Sequence, residues 1–380
     1  MPALKILVLA HDLTDATVHK RVAMLREGGA KVVVAGFRRA PDPVQNVGGC
    51  PATNLGQTHN GRFAQRIWSV FREAIFLPRH RELFANADVI LARNLEMLAL
   101  GVRGRNLCRP APILVYECLD IHRLLLGCGP IGFLLRTIEG WLTRRVSALV
   151  TSSPTFISHY FNTLSNARLP IKLVENKCLE TREDSSPQVR QPGPPWTIGW
   201  FGVIRCQKSL RILKNLVQQC QGNVEVIIRG RPAFDQFEDF HKTVSETPGL
   251  RFLGPYKSPD DMASLYQNVH FTWTIDKFEE GMNSSWLLPN RLYEGGIFGA
   301  VPLAEKAVET GRFLKRLGIG VTLGEPLDLA LASFFNELST VQYKSLEENV
   351  SRVPPSTWIH DKKECEEFVS WLSSFKRETA

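Results

Sequence analysis

Glu294 sits in PNRLYEGGIFGAVPLAE, Pro289 to Glu305, on a helix expected to break at Gly295-Gly296, where Leu292, Ile297 and Val301 would fix a turn against a core and leave this carboxylate needing an explanation. An ionised carboxylate only accepts, and it can take two hydroxyl donors at once. Its alternative role is that of a solvated helix residue or a partner in a helix cap. A second group lies in WFGVIRCQKSL, from Trp200. There a strand ends at Gly202, whose missing side chain lets a ligand approach the backbone, and Arg205 and Lys208 precede a helix beginning near Ser209. Cations at a helix N-terminus oppose its dipole by about 0.3 kcal/mol or more, a cost that a bound anion removes. An exposed basic helix start is the other possibility.

Two more groups fall just after buried strands, at the sheet edge where ligands bind in open α/β folds. VYECLDIHRL, from Val115, offers Glu117, Asp120 and His122 for acid/base work, or as a surface cluster. HDLTDATVHKR offers His11, Asp12 and Asp15, followed by His19 and Arg21. Thr14 or Asp15 as a helix cap accounts for one acid without any function. Binding of a ligand's polar groups is the reading for His11, Asp12 and Asp15.

The elements that must carry these groups alternate between strand and helix. Leu4 to Ala10 reads as a buried strand, Ala16 to Arg26 as a helix with Val18, Val22 and Leu25 on one stripe, and Lys31 to Phe37 as the next strand. Short apolar runs follow at 88–92, 113–117, 148–152 and 171–174, then at 197–201, 224–229, 251–253, 270–274 and 300–304. Such alternation gives βαβ units and doubly wound parallel sheets, an α/β fold. The polar, then Pro-rich TREDSSPQVRQPGPPW interrupts it and reads as a linker. The expected layout is a first Rossmann-like domain over 1–180, a linker over 181–196, a second such domain over 197–355, and a segment over 356–380 whose helix, near Lys362 to Phe375, crosses back.

Composition narrows the class. The chain is 44% apolar and 22% charged, with no run long enough to cross a bilayer. The opening run LKILVLA is too short for a signal peptide and meets His11 and Asp12 at once, so a cytoplasmic location is expected. Eight cysteines lack CxxC pairs or zinc spacing, so reduced structural thiols are expected and no metal. The net charge of +8 comes without a nucleic-acid-binding signature, and an anionic membrane surface or a phosphorylated substrate explains it better. The first strand runs into AHDLTDAT, which has no glycine, so the GxGxxG of dinucleotide-dependent oxidoreductases is missing there.

At Glu294, Gly299 and Pro302 the chain resembles the C-terminal domain of GT-B glycosyltransferases, especially the large retaining family numbered four. The resemblance implies two Rossmann-like domains facing across a cleft and a nucleoside-diphosphate sugar as donor substrate, with no further cofactor. Within it, Glu294 accepts hydrogen bonds from the donor's ribose, with Asn290 in the same motif. Arg205 and Lys208 hold the diphosphate beside Gly202, Gly230 forms a turn beside the nucleotide, and Tyr256 stacks on uracil. The family's first glutamate is replaced here by Trp286, and the loop GMNSSW offers Gly281, Asn283 and Ser284 to the donor sugar instead. Glu117 and the Asp120-x-His122 pattern are most similar to bacterial exopolysaccharide glycosyltransferases, including succinoglycan-type ones. In a retaining enzyme the leaving phosphate can itself deprotonate the acceptor, which leaves these residues to orient sugar hydroxyls.

Two segments bear on a lipid-linked glycan acceptor. RFAQRIWSVFREAIFLPRHR sets Arg62, Arg66, Arg72 and Arg79 beside Ile67, Trp68, Phe71 and Ile75, the composition of an interfacial helix or of a packing helix. GFLLRTIEGWLTRR, from Gly132, repeats that composition; a domain-packing helix whose apolar stripe is core is the favoured reading, and an interfacial helix the alternative. The expected activity is transfer of a sugar, from a uridine diphosphate donor, to a lipid-linked or growing polysaccharide at the inner face of a bacterial membrane, with retention implied by the family likeness. A sugar-nucleotide epimerase and a non-catalytic scaffold of the same plan are the rival readings.

Overall fold

In a computed structural model, which describes residues 2–39, 41–58, 63–179 and 190–376, the chain forms two units. The first comprises residues 1–179 with 360–380, the second residues 180–359.

The first unit is built on eight strands: β1 (Lys5–Ala10), β2 (Lys31–Arg38), β3 (Asn46–Val47), β4 (Cys50–Gln57), β5 (Val89–Arg93), β6 (Ile113–Cys118), β7 (Ala148–Thr151) and β8 (Ile171–Leu173). Their order is β3-β4-β2-β1-β5-β6-β7-β8. All pairs are parallel except β3 with β4, and β1 is central, with Ile6 opposite both Val32 and Val89. β1, β5 and β6 are almost wholly buried, as apolar runs covered on both faces must be. Helices α1 (Ala16–Glu27), α2 (Phe63–Phe76), α3 (Asn94–Asn106) and α4 (Pro130–Thr143) make the crossovers. α1 begins at Asp15, whose carboxylate accepts from the Thr17 amide and hydroxyl, both at 2.8 Å. A short strand, β9 (Cys178–Leu179), packs on α1.

The second unit has six parallel strands, β10 (Trp196–Ile204), β11 (Val224–Pro232), β12 (Leu250–Phe252), β13 (Phe271–Trp273), β14 (Val301–Glu305) and β15 (Val321–Leu323), in the order β12-β11-β10-β13-β14-β15. Its helices include α5 (Gln207–Gln219), α6 (Met262–Tyr266), α7 (Asn283–Trp286), α8 (Asn290–Ile297), α9 (Glu309–Leu317), α10 (Leu327–Glu337) and α11 (Thr340–Arg352). α8 runs through Gly295 and Gly296 where the sequence suggested a break. The glycines are there for packing: a Cβ on Gly295 would lie 2.7 Å from the Thr272 side chain, and one on Gly296 would lie 2.5 Å from the Trp358 ring. The chain then returns to the first unit with α12 (Lys362–Ser374), which packs on α1 and sets the Phe368 ring against the Arg21 guanidinium.

Residues 181–189 of the expected linker lie outside the described residues. The rest of it is anchored. Arg190 spreads its guanidinium over the Gly299 and Tyr266 carbonyls, at 3.2 and 2.8 Å, and the Glu347 carboxylate at 2.9 Å, and the Gln191 carbonyl lies 3.0 Å from the His270 ring. Residues 190–196 therefore belong to the second unit. Its last boundary falls after residue 359, where the sequence suggested 355.

One expectation is reversed outright. Phe133, Leu134, Ile138 and Trp141 of α4, read from sequence as core, are exposed.

Candidate active site

In the second unit, Gly202 of β10 stands opposite Gly230 of β11, with φ of 108° and 139°. A Cβ on Gly230 would lie 1.8 Å from the Gly202 carbonyl oxygen, so nothing larger than glycine fits, while the space beside Gly202 is open. β10 continues two residues past Gly202, to Ile204. α5 opens on Cys206, whose sulfur accepts from the Ser209 amide at 3.3 Å. Gln207 Oε1 and Ser209 Oγ are buried there without a partner. A helix start with free amides and orphaned polar side chains is prepared for an anion.

Two cations stand at this opening. The Arg205 guanidinium lies over the half-exposed Phe278 ring, 4.6 Å from its centroid, and Lys208 pairs with Glu280 at 2.5 Å. Glu280 also accepts from Lys277 at 2.6 Å. Among the described residues one group of carboxylates converges as a metal site would, Glu280 with Glu305 and Glu325, and its centre is taken by the Lys277 ammonium. Burial alone would lower the lysine's pKa, but the hydrogen bonds to these three carboxylates more than offset that and hold it charged.

The loop after β13 thus closes over the loop after β10, its neighbour in the sheet. Ser284 Oγ fixes the former, donating to Asp276 at 3.0 Å and accepting from the Glu279 amide at 2.9 Å. Asn283 is buried beside it, and Trp286 ends α7 half-buried. From the same loop rises α8. Asn290, its first residue, has a buried and unpartnered Oδ1, and Glu294, also buried, accepts from the Tyr266 hydroxyl at 3.1 Å. Glu294 is therefore not a solvated helix residue. Tyr256 is half-buried on the loop after β12.

In the first unit, the candidates cluster on the carboxyl ends of β1, β5 and β6, but most are engaged with one another. Asp12 is buried, accepts from the Thr14 amide and hydroxyl at 3.0 and 2.8 Å, and pairs with Arg39 at 3.2 Å. Asp15 caps α1 and lies 3.5 Å from His11. His122 Nδ1 accepts from the Leu124 amide at 3.3 Å, capping a short helical turn, and Asp120 is exposed. Glu117 needs correction as a catalytic candidate. It is fully buried, and its two oxygens are taken by Arg21 at 2.6 Å and Arg93 at 2.7 Å. Burial alone would raise its pKa, and the two guanidinium groups more than offset that, holding it ionised. The group is an internal ion triad that ties β5 and β6 to α1.

Among the described residues, His11 Nδ1 and Asn94 Oδ1 lie buried at this edge without a partner. Burial lowers the pKa of the His11 ring, favouring the neutral imidazole. Asn94, at the end of β5, holds φ 66° and a buried, unpartnered Oδ1. A left-handed conformation outside glycine is uncommon and concentrates at functional sites. Sequence reading misses Asn94, whose only signal is an amide following a buried strand.

The fold of two units on parallel sheets is shared with solved GT-B glycosyltransferases. The HepE glycosyltransferase of Anabaena, solved with UDP and glucose, superposes with a TM-score of 0.70 at 17% identity, over 98% of this chain and 99% of that one. Sucrose-phosphate synthase of Thermosynechococcus elongatus does so with a TM-score of 0.73 at 11% identity, over 99% and 100%. No family model matches the sequence. Succinoglycan biosynthesis protein ExoL of Rhizobium meliloti (strain 1021) is 45% identical over 378 residues, 98% of this chain and 94% of that protein. The protein has the fold of GT-B glycosyltransferases. It belongs to the family of the succinoglycan biosynthesis protein ExoL.

Proposed function

We propose that the protein transfers a sugar from a uridine diphosphate donor to a lipid-linked glycan of a growing exopolysaccharide, at the inner face of the bacterial membrane, with retained anomeric configuration. The observation that carries the donor reading is the carboxyl edge of β10, where open space beside Gly202, the free start of α5 and Arg205 form one anion seat. Lys208 completes it, while buried Glu294 and Asn290 offer acceptors for the ribose hydroxyls. Solved complexes of HepE with UDP and with UDP-glucose support uridine, and the name of the R. meliloti relative supports the polysaccharide. Tyr256, Asn283 and Ser284 are assigned to the base and the donor sugar. In the first unit His11, Asp12, Asp15, Asp120 and His122 orient the acceptor, and the departing diphosphate takes the proton of its hydroxyl. Retention follows the family-four likeness.

A membrane address is supported by α2. Trp68, Phe71, Ile75 and Phe76 are exposed on it, with Arg72 beside them and Arg79 over the Phe76 ring at 5.6 Å. Arg62 and the side chains of Arg66 and Ile67 lie outside the described residues. Among the described residues no helix is long and apolar enough to cross a membrane.

The test is product analysis with radiolabelled UDP-sugars, with and without lipid-linked glycan extracted from a polysaccharide-producing cell. A labelled, extended lipid-linked product is expected only when the acceptor is present. A converted nucleotide sugar without acceptor would make the protein an epimerase, and UDP-sugar binding with no turnover on any glycan would make it a scaffold.

A further inference from the structure

α4 is built inside out. Ile131, Leu134, Ile138 and Trp141, spaced by three and four residues, share one stripe and are 59, 57, 39 and 52% exposed, with Phe133 beside them. The opposite stripe carries the helix's single acid, Glu139, fully buried. It accepts from the hydroxyls of Tyr116 at 3.2 Å, Tyr160 at 2.9 Å and Ser165 at 2.6 Å. A helix facing water is arranged the other way round.

α2 repeats the pattern. Its single acid, Glu73, is buried and paired with Arg79 at 2.6 Å, while Trp68, Phe71, Ile75 and Phe76 face out. The chain steps from β4 through β5 and β6 to β7 with α2, α3 and α4 as successive crossovers. Right-handed connections put those three helices on one side of the sheet, and α3 packs against both of the others.

Charge says what covers the face. Arg144 and Arg145 are exposed at the end of α4, and the Arg145 guanidinium lies over the Trp141 ring at 4.9 Å. Between Ile121 and Ser147 the sequence has no acid besides Glu139. Beside the helix a cavity of about 340 Å³ is lined by Thr137, Trp141, Arg144, Asn166 and Arg168. A second copy of the chain docking here would set arginines against arginines with no exposed carboxylate of the segment between them.

We propose that α4 is a second docking element for an anionic bilayer. Its Ile131, Leu134, Ile138 and Trp141 enter the acyl boundary, and Arg144 and Arg168 hold a lipid phosphate in the cavity. The proposal rests on the membrane reading of α2 and extends it to a surface of two helices.

Sedimentation with phosphatidylglycerol/phosphatidylcholine vesicles across a salt series tests it on the full chain, with thermal unfolding to show that each variant folds. The wild type is expected to sediment at low salt with the mixed vesicles and not with phosphatidylcholine alone. Leu134→Ser with Trp141→Ser is expected to bind roughly tenfold more weakly or worse, since two apolar side chains no longer leave water. Arg144→Gln with Arg168→Gln is expected to lose the preference for phosphatidylglycerol. If Trp68→Ser with Phe71→Ser abolishes binding while both α4 variants bind as the wild type does, the membrane reading stands and the role of α4 falls. A wild type that never sediments overturns both. A wild-type dimer that Leu134→Ser with Trp141→Ser converts to monomer, without change in vesicle binding, would make this face an interface between copies.

Discussion

The carboxyl edges of the two sheets look alike in sequence and differ in how their charges are spent. In the first unit the density of ionisable groups is highest, yet Glu117 is shared by two arginines, Asp12 is held by Arg39 and Thr14, and Asp15 caps a helix. In the second unit Lys277 is engaged in the same way, by Glu280, Glu305 and Glu325, but the groups around the start of α5 are not. Arg205 rests on the face of an aromatic ring, and polar atoms of Gln207, Ser209 and Asn290 are buried without a partner. Buried polar groups left unpaired are uncommon in native proteins and mark places where a ligand completes the pairing. A cluster of charges is therefore a weaker pointer to a site than a few polar groups that the fold leaves unanswered.

The comparison breaks most visibly at Glu117. Glu117→Ala would leave Arg21 and Arg93, 4 and 1% exposed, without their common carboxylate, and loss of about 3–5 kcal/mol of stability is expected in urea unfolding. The sign with pH follows from a carboxyl held below its ordinary value by the two arginines: its stabilisation is present above the unfolded-state pKa and is lost as pH falls through the lower folded-state one. A variant of wild-type stability with reduced turnover would show instead that Glu117 serves the reaction and not the fold.

The second unit should respond the other way, in binding and not in folding. Arg205→Ala and Glu294→Ala are each expected to weaken UDP binding by about 1.5–3 kcal/mol in calorimetry, the range for hydrogen bonds to charged groups, with unfolding still cooperative. Unchanged affinity in both would move the donor away from β10 and α8.

This difference is only partly legible in the sequence. Buried parallel strands announce themselves as apolar runs, and the expected helix at 362–375 matches α12 within a residue. β4, CPATNLGQ, has no such run and escapes that signal, because a strand near the sheet's edge needs no continuous apolar character. The glycines at 295 and 296 suggest a break because sequence shows the missing side chain but not the Thr272 and Trp358 side chains that require it. α4 misleads for a related reason: spacing identifies a stripe, but whether Leu134 and Trp141 meet a neighbour or open space is decided by packing. Glu117, Asp120 and His122 are equivalent as letters, and the positions of Arg93 and of Arg21, the latter nearly a hundred residues away in sequence, separate the first from the others.

The smallest expected effect sharpens the comparison most, because it asks whether a charge in the second unit is spent or held in reserve. Glu280 lies between Lys208, at 2.5 Å, and Lys277, at 2.6 Å, and its side chain is 44% exposed. Burial would raise its pKa, but the hydrogen bonds and charges of the two lysines together more than offset that and lower it, so it is ionised at neutral pH and competes with a diphosphate for Lys208. An exposed pair of this kind is worth about 0–1 kcal/mol, so Glu280→Gln is expected to tighten UDP binding by no more than about fivefold. Lys277 keeps Glu305 and Glu325 in that variant, and the loop after β13 keeps its Ser284 contacts, so unfolding should be little changed. Weaker UDP binding in Glu280→Gln would mean that the carboxylate holds Lys208 in place for the donor, and this pair would then be fixed by the fold in the same way as the ion pairs of the first unit.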